Sequence, residues 1–431
     1  MKLFGNGVTK KEAKETAAAN TEASKEKMQA ENAQPAGTGT NVQKKRASEG
    51  IRPWVALLTL VAGFFVGAFT QEKRLAGKLS ISQFESISQA AGIVKNNAVE
   101  DYDSEKITQM LLAGLSAGLN DDYSRYYTAE ELKQYNDQKD GVIEGGIGVT
   151  VAVTQAGIKI TEVYEDSPAK SVGLKAGDII LSVDGKSTEG LSASALAELV
   201  SGQNGTKVAL RVLRDGQEAV FEPVRAHITA PMVTHRKIDD ITYIKYKSFH
   251  GNAVEKFREA LDFAQSQGSK GIIIDLRDNL GGDLDIMAKT ADMILPEGEI
   301  FYAMDKNGKR YSEKNSDADF VDLPIVILVN GYSASASEAF TGAARDFKRA
   351  VIVGTKTYGK GIMQTTYTLP NGGAFKLTTA KYYLPGGECI HKTGITPDCV
   401  VELPDGKASR DADMTDEQDT QLQKALELLK K

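Results

Sequence analysis

The sequence predicts a multidomain protein of mixed α/β and β class: an N-terminal transmembrane helix, a helical region, a small β-rich domain, and an α/β domain on a largely parallel sheet. Three observations carry this. Between Arg52 and Glu72 lie nineteen uncharged residues, PWVALLTLVAGFFVGAFTQ, long enough to cross a bilayer core. From about Gly141 to Arg225, short apolar or alternating runs are separated by turn residues. From Ala226 onward, strand and helix patterns alternate at the rhythm of a parallel sheet with crossover helices. A length of 431 residues, 41% of them hydrophobic and 26% charged, suits several globular domains.

Residues 1–51 are rich in Lys, Glu, Ala, Asn and Thr and hold few large apolar side chains, which predicts a disordered tail. The span at 52–71 is glycine-rich and has no amphipathic partner, so it reads as an anchor better than as a buried soluble helix. A cleaved signal peptide is the alternative, although the tail ahead of the span is long for one. Lys44, Lys45, Arg46 and Arg52 favour a cytoplasmic tail, with everything after the span outside the cell membrane. Lys73, Arg74 and Lys78 weaken that contrast. Residues 79–139 read as helical: ITQMLLAGLSAGL has apolar positions at helical spacing, and TAEELKQYNDQ opens on Thr128 with Glu131 three residues later, a capping-box spacing.

In the β-rich domain, 141–225, the strands are VTVAV, GIKITEVY, AGDIILSVDG and KVALRVLRDG, with LSASALAELVSG as a helix. In the α/β domain, 226–405, the strands are ITYIKYKSF, GIIIDLRDN, PIVILVN, RAVIVG and FKLTTAKYYLP, all expected in one sheet. Between them, AVEKFREALDFAQSQG sets Val254, Phe257, Leu261 and Ala264 on one helical face, and DLDIMAKTADMIL and ASEAFTGAARDF follow as further helices. Residues 416–431 form a terminal helix.

A net charge of −6 gives no reason to expect a nucleic-acid partner. The two cysteines, Cys389 and Cys399, lack the further ligands a zinc site needs. They read either as free thiols or as a disulfide closing a short loop in an oxidising compartment.

Reactive groups in an open α/β sheet gather at the C-terminal ends of strands. One such end, Asp275-Leu276-Arg277-Asp278-Asn279-Leu280-Gly281-Gly282, runs into paired glycines whose exposed N–H groups suit an oxyanion hole. Another, Asn330-Gly331-Tyr332-Ser333-Ala334-Ser335-Ala336-Ser337-Glu338, places three alternating serines just before a helix. One of them could be a plain N-cap, but a cap needs only one. None of His227, His235, His250 and His391 lies in a recognisable triad context, which leaves lysine as the base. Lys360 stands between Gly359 and Gly361 after a strand, where burial can lower its pKa toward the working pH. Gln364, four residues on, can offer an amide oxygen to orient it without adding charge.

VNGYSASASEAFTGA, TYGKGIMQ and GITPD together resemble the C-terminal processing peptidases, the tail-specific proteases of serine peptidase family S41, and the likeness extends from about Leu79 to the C-terminus through GLNDDYSRYYTAEELKQY. The resemblance implies a serine endopeptidase that needs no cofactor or metal. Ser335 matches the nucleophile, Lys360 the general base and Gln364 its partner. The N–H of Ala336 and that of Gly281 or Gly282 match the oxyanion hole. By analogy with the family, the helical region is a place for a homodimer contact. The cysteines depart from the family pattern.

The β-rich unit resembles a protease-associated PDZ domain. Gly145, Gly146, Ile147, Gly148 and Val149 match its carboxylate-binding loop, so the resemblance implies polypeptide substrates captured by their C-termini, added as a strand beside Ile147 to Val151. A PDZ-bearing membrane scaffold with an inert protease domain is the alternative.

Overall fold

The computed structural model describes residues 81–409 and 414–430. The predicted tail and the span at 52–71 lie outside the described residues. Among those described, no helix is long and apolar enough to cross a membrane. Helix α1 (Ile81–Asn97) belongs to one compact unit, and the chain from Asp103 onward forms another.

The second unit opens with α2 (Ser104–Ala117), whose first turn donates the N–H groups of Glu105 and Lys106 to the Asp103 carboxylate. Strand β1 (Arg125–Tyr127) follows, then α3 (Ala129–Lys139), which starts on the expected Thr128–Glu131 capping box. Strand β2 (Val142–Gly146) leads into the β-rich domain. There β3 (Val149–Thr154), β4 (Gly157–Val163), β5 (Ile179–Val183), β6 (Lys186–Ser187), β7 (Leu210–Arg214) and β8 (Gln217–Phe221) form an antiparallel sheet in the order β3-β4-β5-β7-β8, with β6 on β5. A short helix α4 (Pro168–Ser171) and α5 (Ala193–Val200) pack with it around Ile158, Ile160, Ile180, Leu196, Leu210 and Val212. Strand β9 (Ala226–Thr229) returns to pair with β2 and closes the domain at its neck.

The remainder runs β10 (Val233–Ile238), β11 (Ile241–Tyr246), α6 (Ala253–Ser266), β12 (Gly271–Asp275), α7 (Leu284–Asp292), β13 (Gly298–Asp305), β14 (Arg310–Ser316), β15 (Ile325–Val329), α8 (Ala336–Asp346), β16 (Ala350–Gly354), β17 (Ile362–Thr368), β18 (Ala374–Tyr383), β19 (Cys399–Val400) and α9 (Thr420–Leu429). The main sheet has the order β10-β11-β12-β15-β16-β19 and is parallel from β11 on. Every residue of β12 and β15 is buried, as continuous apolar runs in a two-sided sheet require. Because side chains alternate along a strand, Ile272, Ile274, Ile325 and Ile327 pack with the α6, α7 and α8 layer, while Ile273, Val326 and Leu328 pack with Leu422 and Leu426 of α9. Burial of each of those two leucines contributes roughly 1.5–3 kcal/mol, so the terminal helix is part of the core.

The expectation of one sheet is corrected. FKLTTAKYYLP becomes β18, which leaves the parallel sheet and joins β1, β13, β14 and β17 in a second, five-stranded antiparallel one. The connection from β17 to β18 is a tight turn, with Leu369 N donating to Gly373 O, and so short a link permits only antiparallel pairing. Strand β1 pairs with the other edge of β18 and brings a segment expected to be helical into the sheet.

Candidate active site

Strands β12 and β15 are adjacent and parallel, so the two loops leaving their C-terminal ends meet. The structure tells the three serines apart. Ser333 Oγ donates to Leu276 O at 2.8 Å and accepts from Asn330 N at 2.9 Å, and Ser337 Oγ donates to Asn279 O at 2.8 Å. Both hydroxyls are wholly buried and tie the two loops together. Ser335 is the N-cap of α8 and shares a capping box with Glu338, in which its hydroxyl oxygen faces the Glu338 N–H, but that hydroxyl donates to no group among the described residues. Its backbone stands at φ 58°, ψ −116°, a conformation costly for a residue with a Cβ and one that clusters at reactive sites.

Glu338 holds this turn in place. Its fully buried carboxylate accepts from four donors: Thr357 Oγ1 at 2.6 Å and Gly359 N at 2.7 Å on one oxygen, Lys360 N at 2.8 Å and Ser335 N at 2.9 Å on the other. The serine turn and the lysine loop are thus fixed to one carboxylate. Tyr382 adds a second clamp, its hydroxyl 2.9 Å from Ser335 O and 2.8 Å from Lys360 O. Burial first, then the charge of Glu338, holds its phenol well above the usual range, so it stays a neutral donor.

The side chain of Lys360 is largely removed from water, and its Nζ lies 4.5 Å from the ring centre of Tyr123. Burial pushes its pKa down from 10.5 to about 8, helped by the nearby charge of Lys376 and opposed by Asp121 and Glu338. Among the described residues its Nζ makes no hydrogen bond. Gln364 lies on β17 and donates to Thr378 Oγ1 at 3.2 Å, so no hydrogen bond joins it to Lys360.

The paired glycines differ in role. A Cβ on Gly281 would stand 2.8 Å from Ala336 N and 2.9 Å from Ser335 Cβ, so only glycine fits against the serine turn. Its own N–H already donates to Asn279 Oδ1 at 2.9 Å. A Cβ on Gly282 would meet Phe249 O at 2.4 Å, and the Gly282 N–H has no partner among the described residues. The N–H of Ala336, first residue of α8, lies outside the intrahelical ladder.

In the β-rich domain Gly145 N donates to Asn204 Oδ1, and Gly146 pairs with Ala226. Ile147 is buried, and a Cβ on Gly148 would stand 2.3 Å from Ser167 Cβ. The N–H groups of Ile147 and Gly148 have no partner among the described residues. Val149 begins β3, which is the sheet edge, with one side unpaired.

Of the two readings open for Cys389 and Cys399, the structure has the free thiols. The segment between them does not fold as a hairpin. Its turn at Ile390–Gly394 docks on the lysine loop through Lys392 N to Gly359 O, while Cys399 lies in β19 against Val353. Behind the glycine loop, Asp275 pairs with Arg277 at 2.8 Å and with Lys245 at 3.3 Å, and Arg277 also grips Asp419 at 2.9 Å. Burial alone would raise the Asp275 carboxyl, but the two cations hold it well below the usual range. Glu338, Tyr382 and Tyr123 were not singled out from sequence. Only Glu338 left a local signal there, an acid three residues after a helix-capping serine.

Residues 240–401 match the family described as Peptidase family S41, and residues 159–214 match the PDZ domain family. A Staphylococcus haemolyticus protein named "Probable CtpA-like serine protease" is 35% identical over 325 residues, which cover 75% of this chain and 65% of that protein. One of the same name from Staphylococcus epidermidis is 32% identical over 358 residues, covering 82% and 72%. A Bacteroides fragilis structure assigned to the S41 proteases superposes with a TM-score of 0.52 at 16% identity, over 78% of this chain and 92% of its own, a likeness of fold.

Proposed function

The chain belongs to peptidase family S41, and from that premise we propose that it is a membrane-anchored serine endopeptidase that cleaves extracytoplasmic polypeptides recognised by their C-termini. The observation that carries the chemistry is the sorting of the serines: two donate their hydroxyls to loop carbonyls, and Ser335 alone donates to no group among the described residues, on a strained turn tied through Glu338 to Lys360.

In this reading the neutral amine of Lys360 leaves the Tyr123 ring and takes the proton of Ser335 Oγ as the hydroxyl attacks a peptide carbonyl. The N–H groups of Ala336 and Gly282 receive the developing oxyanion; a donor of this kind is worth about 10²–10³ in rate. Gly281 supplies the close approach rather than the hydrogen bond. The protonated lysine then returns its proton to the leaving amine, and water releases the acyl-enzyme. Gln364 acts on this site through Thr378 and its strand, or moves to the lysine when substrate binds.

The unpaired edge of β3 and the partnerless N–H groups of Ile147 and Gly148 support capture of a peptide terminus by strand addition. The uncharged stretch at 53–71 supports a single anchor with the tail inside and the domains outside. Exposed Phe84, Ile87 and Ile93 on α1 support a contact between two copies there. The test is incubation of the purified protein with an unfolded polypeptide beside a Ser335→Ala control. Cleavage by both proteins alike, or by neither, would remove the protease reading and favour a scaffold.

A further inference from the structure

The residues that surround Lys360 do not all come from the α/β domain. The loop between α2 and β1 folds over it and places Tyr123 under the amine, 4.5 Å from ring centre to Nζ. This loop is built to hold one shape. Asp121 Oδ1 accepts from Tyr123 N at 3.1 Å, its other oxygen accepts from Ser124 Oγ, and Ser124 Oγ in turn accepts from Thr378 N on β18 at 3.0 Å. Strand β1 then pairs along β18 from Arg125 to Tyr127. The phenol of Tyr123 meets that of Tyr358 at 3.5 Å, two residues before the lysine. Tyr123 is therefore fixed from two sides, by the edge of the second sheet and by the lysine loop itself.

We propose that Tyr123 is a positioning residue for Lys360: its ring is the seat on which the amine waits and the wall that keeps water from it, so the segment before the PDZ domain completes the catalytic site. The inference rests on the reading of Lys360 as base.

Two opposing effects meet at the ring. Its π face attracts the charged ammonium, and its bulk strips water from the same group, which favours the neutral amine. The other charged or titratable groups facing Lys360 are Lys376 on β18, Asp121 on the same loop as Tyr123, Glu338 on α8 and the Tyr358 phenol; His391 packs its backbone on Gly361. Lys376 disfavours the ammonium, whereas Asp121 and Glu338 favour it. The balance of these groups lowers the lysine's pKa, so exclusion of water, with Lys376, outweighs the two carboxylates. Without the ring, water reaches the amine and the lysine keeps its proton to a higher pH.

The experiment measures kcat/KM of the full-length chain against pH, on a fluorophore-labelled unfolded casein, for the native protein and for Lys360→Ala, Tyr123→Phe and Tyr123→Ala. Melting curves establish that each variant is folded. Lys360→Ala should be inactive at every pH; if it cleaves, the base assignment itself is wrong. With that control inactive, Tyr123→Ala should move the midpoint of the rising limb up by about one pH unit. At neutral pH this reads as a roughly tenfold loss, recovered in alkali. Tyr123→Phe keeps the ring and should keep the native midpoint. Loss of rate by the same factor at all pH values, or an unmoved midpoint in Tyr123→Ala, would overturn the proposal. If Tyr123→Ala does not fold, Tyr123→Leu, which covers less of the amine, is judged by the same displacement.

Discussion

Replacing Glu338 by glutamine changes one oxygen to an amide nitrogen and no other heavy atom, which isolates what this carboxylate does. Each oxygen now accepts from two donors: Thr357 Oγ1 and Gly359 N on one, Lys360 N and Ser335 N on the other. A glutamine keeps one of these pairs at best. At the other, its NH₂ faces two donors, either the N–H groups of Lys360 and Ser335 or the Thr357 hydroxyl and the Gly359 N–H, around a fully buried side chain. An unsatisfied buried donor costs about 1–3 kcal/mol, so two cost roughly 2–6 kcal/mol. In a protein of this size that lowers Tm by about 2–7 °C. The functional loss should be larger, because Ser335 and Lys360 are registered to each other through this group. A kcat reduced by about 10²–10³ is expected, as for loss of an oxyanion donor. Differential scanning calorimetry and turnover of an unfolded polypeptide read the two effects separately. A variant that melts within about 1 °C of the native protein and retains at least half its turnover would refute the reasoning.

Ser335→Ala should abolish cleavage and leave the fold intact, whereas Ser333→Ala should cost about 1–3 kcal/mol in a denaturant melt by stranding Asn330 N, while Leu276 O keeps its bond from Asn279 N, and still cleave. Native cleavage should rise about tenfold from pH 7 to pH 9, because a base titrating near 8 is about one tenth neutral at the first and nine tenths at the second; a flat profile would exclude Lys360. Its pKa is lower folded than unfolded, so the ammonium opposes folding below pH 8, and this cost fades between about 8 and 10.5. Lys360→Met should therefore be inactive yet more stable than the native protein near pH 7, with the advantage gone above pH 10.5 in melts across that range. Arg277→Met leaves Lys245 as the one cation beside buried Asp275, with the Tyr243 hydroxyl still donating to it, and should cost roughly 3–5 kcal/mol, read by chemical denaturation. Both cysteines should alkylate without reductant, as intact-mass measurement will show.

Much of this protein was legible as linear pattern because the pattern is local. The continuous apolar runs of β12 and β15 announce strands buried on both faces, Thr128 and Glu131 announce a helix start, and the glycine pair and alternating serines mark the strand ends where chemistry gathers. Those signals depend on backbone geometry over a few residues, which sequence reports directly. Choosing among the three serines depended on hydrogen bonds between loops some fifty residues apart. Ser333 and Ser337 are engaged by Leu276 and Asn279, and only the adjacency of β12 and β15 brings those partners together. The two glycines were divided the same way, by what the side chain of Asn279 and the backbone of Phe249 occupy. The second sheet, and with it the placement of Tyr123 over Lys360, follows from β1 pairing with β18 across about two hundred and fifty residues of chain. No periodicity encodes such a pairing, because it is set by which unpaired edge remains once the rest of the sheet has formed. Spacing likewise allowed Cys389 and Cys399 a bridge. It is the docking of one on the lysine loop and the pairing of the other beside β16 that leaves them apart.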